Sequence, residues 1–327
     1  MPKIRKKMES VFYIIAGFIL LVVGGDFLVK SSVGLSFKFK LSKLIIGMTV
    51  VSFATSAPEL LVSLQAALDG SADLALGNVI GSNIANIALV LGLTAMIAPI
   101  VVDKSFYTIN WPGMLLFSGF LYFFLKNDLL LSRIEGAILF IALIIFIAFM
   151  IHNARKSSKN DEITDLDDEI DGNLEQAGYG KIFIWLVIGA AALYFGSEFL
   201  VTGAKNIAES LGISKGVIGL SVVAIGTSVP ELAASIIAAL KGEKAISLGN
   251  LIGSNIFNIG SVLGLTAMIS PLKVEPKMLE NDIFWMIGVA FILVPLTILP
   301  KKNIFSRYKG FLLVAGYVLF MYFLFVR

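Results

Sequence analysis

Two glutamates stand inside apolar runs, where a charge is expensive. Glu59 and Glu231 each close a Thr-Ser-x-Pro-Glu segment, Thr55-Ser56-Ala57-Pro58-Glu59 and Thr227-Ser228-Val229-Pro230-Glu231. A carboxylate at mid-bilayer costs several kcal/mol unless paired or hydrated, so each marks a functional site by default. Proline removes one backbone donor and disturbs a helix one turn earlier. The carbonyls of Ser52 to Thr55, and of Ala224 to Thr227, are therefore expected to be partly free. Carboxylate, hydroxyls and free carbonyls on one turn make an oxygen-rich lining for a dehydrated cation. Irregular backbone at membrane depth is tolerated only where it lines a cavity or is buried in protein. The plainer reading, a proline kink with a structurally paired glutamate, loses ground because the motif occurs twice.

A second set of polar residues follows each glutamate. Gly77-Asn78 and Gly81-Ser82-Asn83 precede Asn86; Gly249-Asn250 and Gly253-Ser254-Asn255 precede Asn258. Ser82 and Asn86 are four apart and share a helix face, as do Ser254 and Asn258. These four are read as ion ligands. Asn78, Asn83, Asn250 and Asn255 lie off that face and are read as interhelical hydrogen-bonding residues. Glycines four apart allow the helices to approach closely. Asp26 and Glu198 also correspond to one another, but Lys30 one turn after Asp26 offers an ion pair as sufficient explanation. The chain has no cysteine and one histidine, His152, at the end of an apolar run beside Arg155 and Lys156, where it marks a membrane interface. Any bound metal must be held by oxygen, which points to hard cations such as Ca²⁺ or Na⁺.

The elements that carry these residues are membrane helices. Of 327 residues, 57% are hydrophobic and only 15% charged, against about 45–50% and about 25% in soluble domains. Apolar runs of roughly 20 residues recur, the length that crosses the hydrocarbon core. Lys3, Arg5, Lys6 and Lys7 ahead of the first run resemble a signal peptide. The run is long, shows no small-x-small cleavage site, and has a counterpart later in the chain, so it is read as a retained span.

That counterpart belongs to an internal repeat at a constant offset of 172 residues. Leu76–Ile100 matches Leu248–Leu272 at 19 of 25 positions, and Ile46–Ser63 matches Ile218–Ser235 at 10 of 18. Each half reads as five spans: roughly 11–35, 44–68, 74–98, 106–125 and 130–152, then 181–207, 215–240, 246–270, 281–299 and 308–326. The expected fold is an all-α membrane protein of ten transmembrane helices in two inverted five-helix repeats, 1–152 and 181–327, joined by a polar linker at 153–180. An odd number of spans per copy inverts the second copy, the plan of secondary transporters with a site near the midplane. An excess of Lys and Arg on the linker side favours a cytoplasmic linker. The basic N-terminal tail pulls the other way.

At these residues the chain resembles the Ca²⁺/cation antiporter superfamily, specifically the prokaryotic type of Na⁺/Ca²⁺ exchanger. Thr55–Glu59 with Gly77–Asn86 is similar to the first α-repeat of that family, and Gly226–Glu231 with Gly249–Asn258 to the second. The resemblance covers nearly the whole chain. It implies that Glu59 and Glu231 hold Ca²⁺, helped by the backbone carbonyls of Thr55 and Thr227. It implies that Ser56, Ser82, Ser228 and Ser254, with the carbonyls of Ser52 and Ala224, complete Na⁺ sites, and that Asn86 sits beside the central position. Spans 2, 3, 7 and 8 would form the ion core, with spans 1 and 6 sliding across it. K⁺-dependent relatives carry Asp where this chain has Asn258, which weakens the case for K⁺. Proton-coupled members tend to carry a glutamate inside the span 3 and span 8 motifs; Ser and Asn here favour Na⁺.

The expected function is Na⁺/Ca²⁺ antiport through one mutually exclusive ion cluster. The expected setting is the lipid bilayer of the plasma membrane, with the chain acting as a monomer without a cofactor. A Ca²⁺/H⁺ antiporter and, further off, a cation channel are the alternatives. No basic stripe suggests nucleic acid. No nucleotide loop, nucleophile–base pair or paired aspartate suggests an enzyme, an intramembrane hydrolase included.

Overall fold

A computed structural model describes residues 2–157, 172–211, 226–300 and 302–326. These residues are almost entirely helical. The long helices are α1 (Pro2–Phe39), α2 (Lys43–Leu68), α3 (Ala72–Ile97), α4 (Phe106–Asp128), α5 (Arg133–Ser157), α6 (Tyr179–Ser210), α7 (Val229–Leu240), α8 (Lys244–Ile269), α9 (Met278–Ile298) and α10 (Arg307–Val326). Among the described residues, nine of these are long and apolar enough to cross a membrane; α7 is shorter. The span expected at 215–240 falls partly on 212–225, outside the described residues. The first helix runs past its expected limits of 11–35 at both ends, from Pro2 to Phe39.

Burial sorts the helices. α8 has 83% of its apolar window buried and α3 has 72%, whereas α1, α5 and α6 have 28%, 22% and 28%. The two helices with the Gly-Asn and Gly-Ser-Asn motifs are therefore the centre of the bundle. Phe12, Phe18, Ile141, Ile145, Phe183 and Ile184 point outward from α1, α5 and α6. Such a continuous apolar surface belongs against lipid. The chain is an integral multi-pass membrane protein.

The turns are set by local chemistry. Gly70 (φ +79°) and Gly242 (φ +83°) follow α2 and α7, and only glycine adopts that backbone freely. They correspond at the 172-residue offset, so the same tight turn feeds α3 and α8. α5 starts with a capping box: the Ser132 N–H and Oγ both donate to Glu135 Oε2, at 2.8 and 2.7 Å, and the Glu135 N–H donates back to Ser132 Oγ.

Contacts between the two halves come in matched pairs. A Cβ added at Gly24 of α1 would lie 2.7 Å from Leu193 N and 3.0 Å from Gly189 O; one added at Gly189 of α6 would lie 2.7 Å from Leu28 N and 3.0 Å from Gly24 O. The helices touch backbone to backbone, and larger residues would hold them apart. Gly47 of α2 and Gly249 of α8 meet in the same way. Four two-residue strands join loop ends: β1 (Ile100–Val101) pairs antiparallel with β4 (Ile304–Phe305), and β2 (Leu130–Leu131) with β3 (Leu272–Lys273).

Candidate ion-binding site

Five of these helices contain a wide π-helical stretch, and four of the stretches correspond in pairs across the repeat: Phe106–Asn110 in α4 with Met278–Asp282 in α9, and Ala85–Leu91 in α3 with Asn258–Leu263 in α8. Asn86 and Asn258 sit at the start of the second pair. The fifth covers Gly47–Val51, just before Ser52. Single wide turns leave backbone groups less regularly paired and recur at functional sites.

The proline expectation needs correcting on one side. The helix from Ser52 to Leu68 is continuous through Pro58. The missing Pro58 N–H deprives only the Ala54 carbonyl of its partner, and the Thr55 hydroxyl turns back onto the Ser52 carbonyl at 3.4 Å. The helix thus continues past the proline. In the second half the helix begins at Val229, with Pro230 in its first turn, a position where a missing N–H costs nothing. Glu231 also lies in that first turn, where unpaired backbone N–H groups favour negative charge. Glu59 lies mid-helix, without that help.

Several of the sequence-predicted residues meet across helices, and most of them are buried. Glu59, Glu231, Asn86, Asn258, Ser52 and Ser254 have no measurable exposure, and Thr55, Ser56, Ser82 and Ser228 are buried as well. Thr227 is half-buried, and Ala224 lies outside the described residues. Ser56 Oγ donates to Glu231 Oε1 at 3.3 Å. Thr55 Oγ1 of α2 is 3.3 Å from Ser254 Oγ of α8. Its mirror contact joins Thr227 Oγ1 and Ser82 Oγ at 3.2 Å. Ser52 Oγ is 2.9 Å from the carbonyl oxygens of both Gly47 and Asn250.

Around this cluster are residues the sequence reading set aside as packing groups. Asn250 Nδ2 donates to Ser235 Oγ at 3.0 Å, and Asn78 Nδ2 donates to Ser63 Oγ at 3.0 Å. Asn250 Oδ1 also accepts from Thr55 Oγ1 at 3.1 Å, so it holds a site hydroxyl directly. Ser63 and Ser235 were not singled out. The signal was present: both pairs keep the 172-residue register.

The polar atoms left over define the chemistry. Both Glu59 carboxylate oxygens, Glu231 Oε2, both Asn86 side-chain polar atoms, Asn258 Oδ1 and Ser228 Oγ are buried and have no hydrogen-bond partner. Buried polar groups in native proteins are nearly always satisfied, and an unpaired buried charge is the costliest exception. Among the described residues no three His, Asp or Glu side chains converge. The donor set is two carboxylates among neutral hydroxyl and amide oxygens. Such a set suits a cation that enters and leaves better than one held permanently by many charges.

Asp26 and Glu198 do not join the cluster. Asp26 is held by Lys30 at 2.8 Å and by Lys241 at the end of α7; Glu198 is exposed. His152 is exposed near the end of α5.

Comparison with known proteins identifies the family. The family model "Sodium/calcium exchanger protein" matches residues 9–152 and 181–326. Inner membrane protein YrbG of Escherichia coli (strain K12) is 36% identical over 314 residues, covering 94% of this chain and 94% of that protein. Sodium/calcium exchanger MaX1 of Methanosarcina acetivorans is 32% identical over 349 residues, covering 95% and 97%. Among solved structures, the sodium-calcium exchanger NCX_Mj, soaked with 10 mM Na⁺ and zero Ca²⁺, superimposes with a TM-score of 0.80 at 33% identity, covering 96% of this chain and 98% of that one. The chain therefore belongs to the sodium/calcium exchanger family and is a membrane transporter, not an enzyme.

Proposed function

We propose that the chain is a secondary antiporter that exchanges Na⁺ for Ca²⁺ by alternating access. One cluster around Glu59 and Glu231 binds either Ca²⁺ or Na⁺, never both in full. The carrying observation is that three of the four oxygens on these two buried carboxylates have no protein partner. Two carboxylates balance one Ca²⁺, which takes six to eight oxygens in flexible geometry. Several Na⁺ can instead share the same carboxylates with hydroxyl, amide and carbonyl oxygens. Competition for one charge pair then couples the two ions without any covalent step.

The proposed ligands are Glu59, Glu231, Ser56, Ser228, Ser82, Ser254, Asn86 and Asn258, with backbone oxygens of Ser52, Thr55, Ala224 and Thr227. The proposed architecture is ten spans in two inverted five-span repeats, 1–152 and 181–327, working as a monomer in the plasma membrane with the linker cytoplasmic. The swapped contacts support it: β1 with β4 at one end, β2 with β3 at the other, and Gly24 with Gly189 between them. Backbone-close packing makes α1 and α6 one stiff pair, suited to sliding over the core as a unit.

The test is Ca²⁺ uptake into vesicles containing the purified protein, under an imposed Na⁺ gradient or an imposed pH gradient. Uptake driven by the Na⁺ gradient supports the proposal. Uptake driven only by the pH gradient would make the chain a Ca²⁺/H⁺ antiporter. Ca²⁺ flux that never runs uphill would make it a channel.

A further inference from the structure

We propose that Asn83 is a positioning residue: it turns the Asn258 carboxamide so that its oxygen, and not its NH2 group, is offered to the cation. The proposal rests on the ion cluster described above and assigns a role to a residue outside it. A carboxamide has one end that attracts a cation and one that repels it. For a neutral ligand in a buried site, that choice decides whether the side chain binds at all.

A chain of hydrogen bonds makes the choice. Asn83 Nδ2 donates to the Asn255 backbone carbonyl at 3.3 Å and lies 3.5 Å from Met286 Sδ. A backbone carbonyl only accepts, and a thioether is only a weak acceptor. Asn83 must therefore keep its NH2 on that side and its Oδ1 on the other. Asn83 Oδ1 in turn accepts from Asn258 Nδ2 at 3.1 Å. The Asn258 NH2 is thereby engaged, and Asn258 Oδ1 is left buried with no protein partner. Asn83 is 2% exposed and Asn258 0%, so water does not compete for these bonds. The orientation follows from donor and acceptor identity along the whole chain, because flipping either amide would set two donors or two acceptors against each other.

The relay exists in one copy only. The counterpart of Asn83 is Asn255, whose Nδ2 donates to Met114 Sδ at 3.6 Å and whose Oδ1 has no partner. Asn86, the counterpart of Asn258, has no partner on either polar atom. The repeat has thus fixed one carboxamide and left its twin free to turn. Asn258 is the dependable neutral ligand of the pair.

The test is Asn83→Leu in two backgrounds, with exchange measured in vesicles and Na⁺ and Ca²⁺ titrated separately. In the otherwise unchanged protein, the half-saturating concentration of at least one cation is expected to rise about threefold or more, with the maximal rate within about twofold. In the Asn258→Asp background the same substitution is expected to raise neither cation's half-saturation, because a carboxylate offers oxygen whichever way it turns and loses only an opposing acceptor when Asn83 is removed. An equal rise in both backgrounds, or no rise in either, overturns the proposal. If Asn83→Leu does not yield a monodisperse protein, Asn83→Ala carries the same comparison with less steric demand. Glu59→Gln serves as the reference. If it retains full exchange, the ion cluster itself is wrong; if it is inactive while Asn83→Leu has no effect, only the orientation argument fails.

Discussion

Ser56 Oγ of α2 donates to Glu231 Oε1 of α7 at 3.3 Å, so the two Thr-Ser-x-Pro-Glu turns meet in space although they are 172 residues apart. The relationship is one-sided: Ser228 Oγ has no partner, and neither does either oxygen of Glu59. Glu231 is anchored by a hydroxyl and by its place in the first turn of α7; Glu59 is held only by its own helix. We predict that Ser56→Ala weakens cation binding more than Ser228→Ala does. The measurement is half-saturation of exchange for each cation, and an equal effect of the two substitutions would count against the asymmetry.

The carboxylates themselves carry the strongest expectation. Glu59→Gln and Glu231→Gln each keep shape and volume but remove one of two charges. We predict loss of exchange by about 100-fold or more for each, the size expected when a buried charge loses its counter-charge. Elution as a single species and an unchanged helical signal would show that the fold persists. Wild-type Ca²⁺ flux in either variant removes the site.

Packing between α1 and α6 gives a stability prediction. Gly24→Ala would press a methyl group against the Leu193 N–H and the Gly189 carbonyl, and overpacking of this kind costs about 1–3 kcal/mol. Gly119 provides the control, because a Cβ there meets nothing within 4 Å. Gly119→Ala is predicted to be neutral or slightly stabilising, by up to about 1 kcal/mol, since glycine weakens a helix. Thermal unfolding in detergent compares the two.

Charge at the helix ends breaks the symmetry of the halves. Asp26 of α1 pairs with Lys241 at the end of α7. At the same offset their counterparts are Glu198 and Asp69, both acidic. A surface pair of this exposure contributes only about 0–1 kcal/mol to folding, but the difference between attraction and repulsion acts directly on a conformational balance. We predict that Asp26→Asn loosens the contact between α1 and α7. A cysteine placed by Ala233→Cys, in a chain that otherwise has none, should then react faster with a membrane-impermeant thiol reagent. An unchanged labelling rate would show that the pair does not hold this face closed.

The apolar spans and the burial of Glu59 and Glu231 inside them were legible because each rests on a local signal. Apolar run length, a constant offset and a charge inside a span are all visible without knowing how helices pack. The disturbance expected one turn before Pro58 is milder than the motif alone suggests, because the helix continues past the lost bond. What stayed hidden depends on how far each helix is rotated and how closely it approaches its neighbour. Asn250 holding Thr55, Asn83 holding Asn258, and the wide turns at Ala85–Leu91 and Asn258–Leu263 are of this kind. A hydrogen bond between helices needs two rotations and a separation to be right together, and no single span encodes them.

The most direct test of the account is Ca²⁺ uptake into sealed vesicles containing the wild-type protein, driven by a Na⁺ gradient in one arm and by a pH gradient without Na⁺ in the other, with Glu59→Gln and Glu231→Gln in parallel. The predicted result is uptake with the Na⁺ gradient, none with the pH gradient alone, and none in either variant. Uptake under the pH gradient alone, or Na⁺-driven uptake that survives loss of either glutamate, would contradict it.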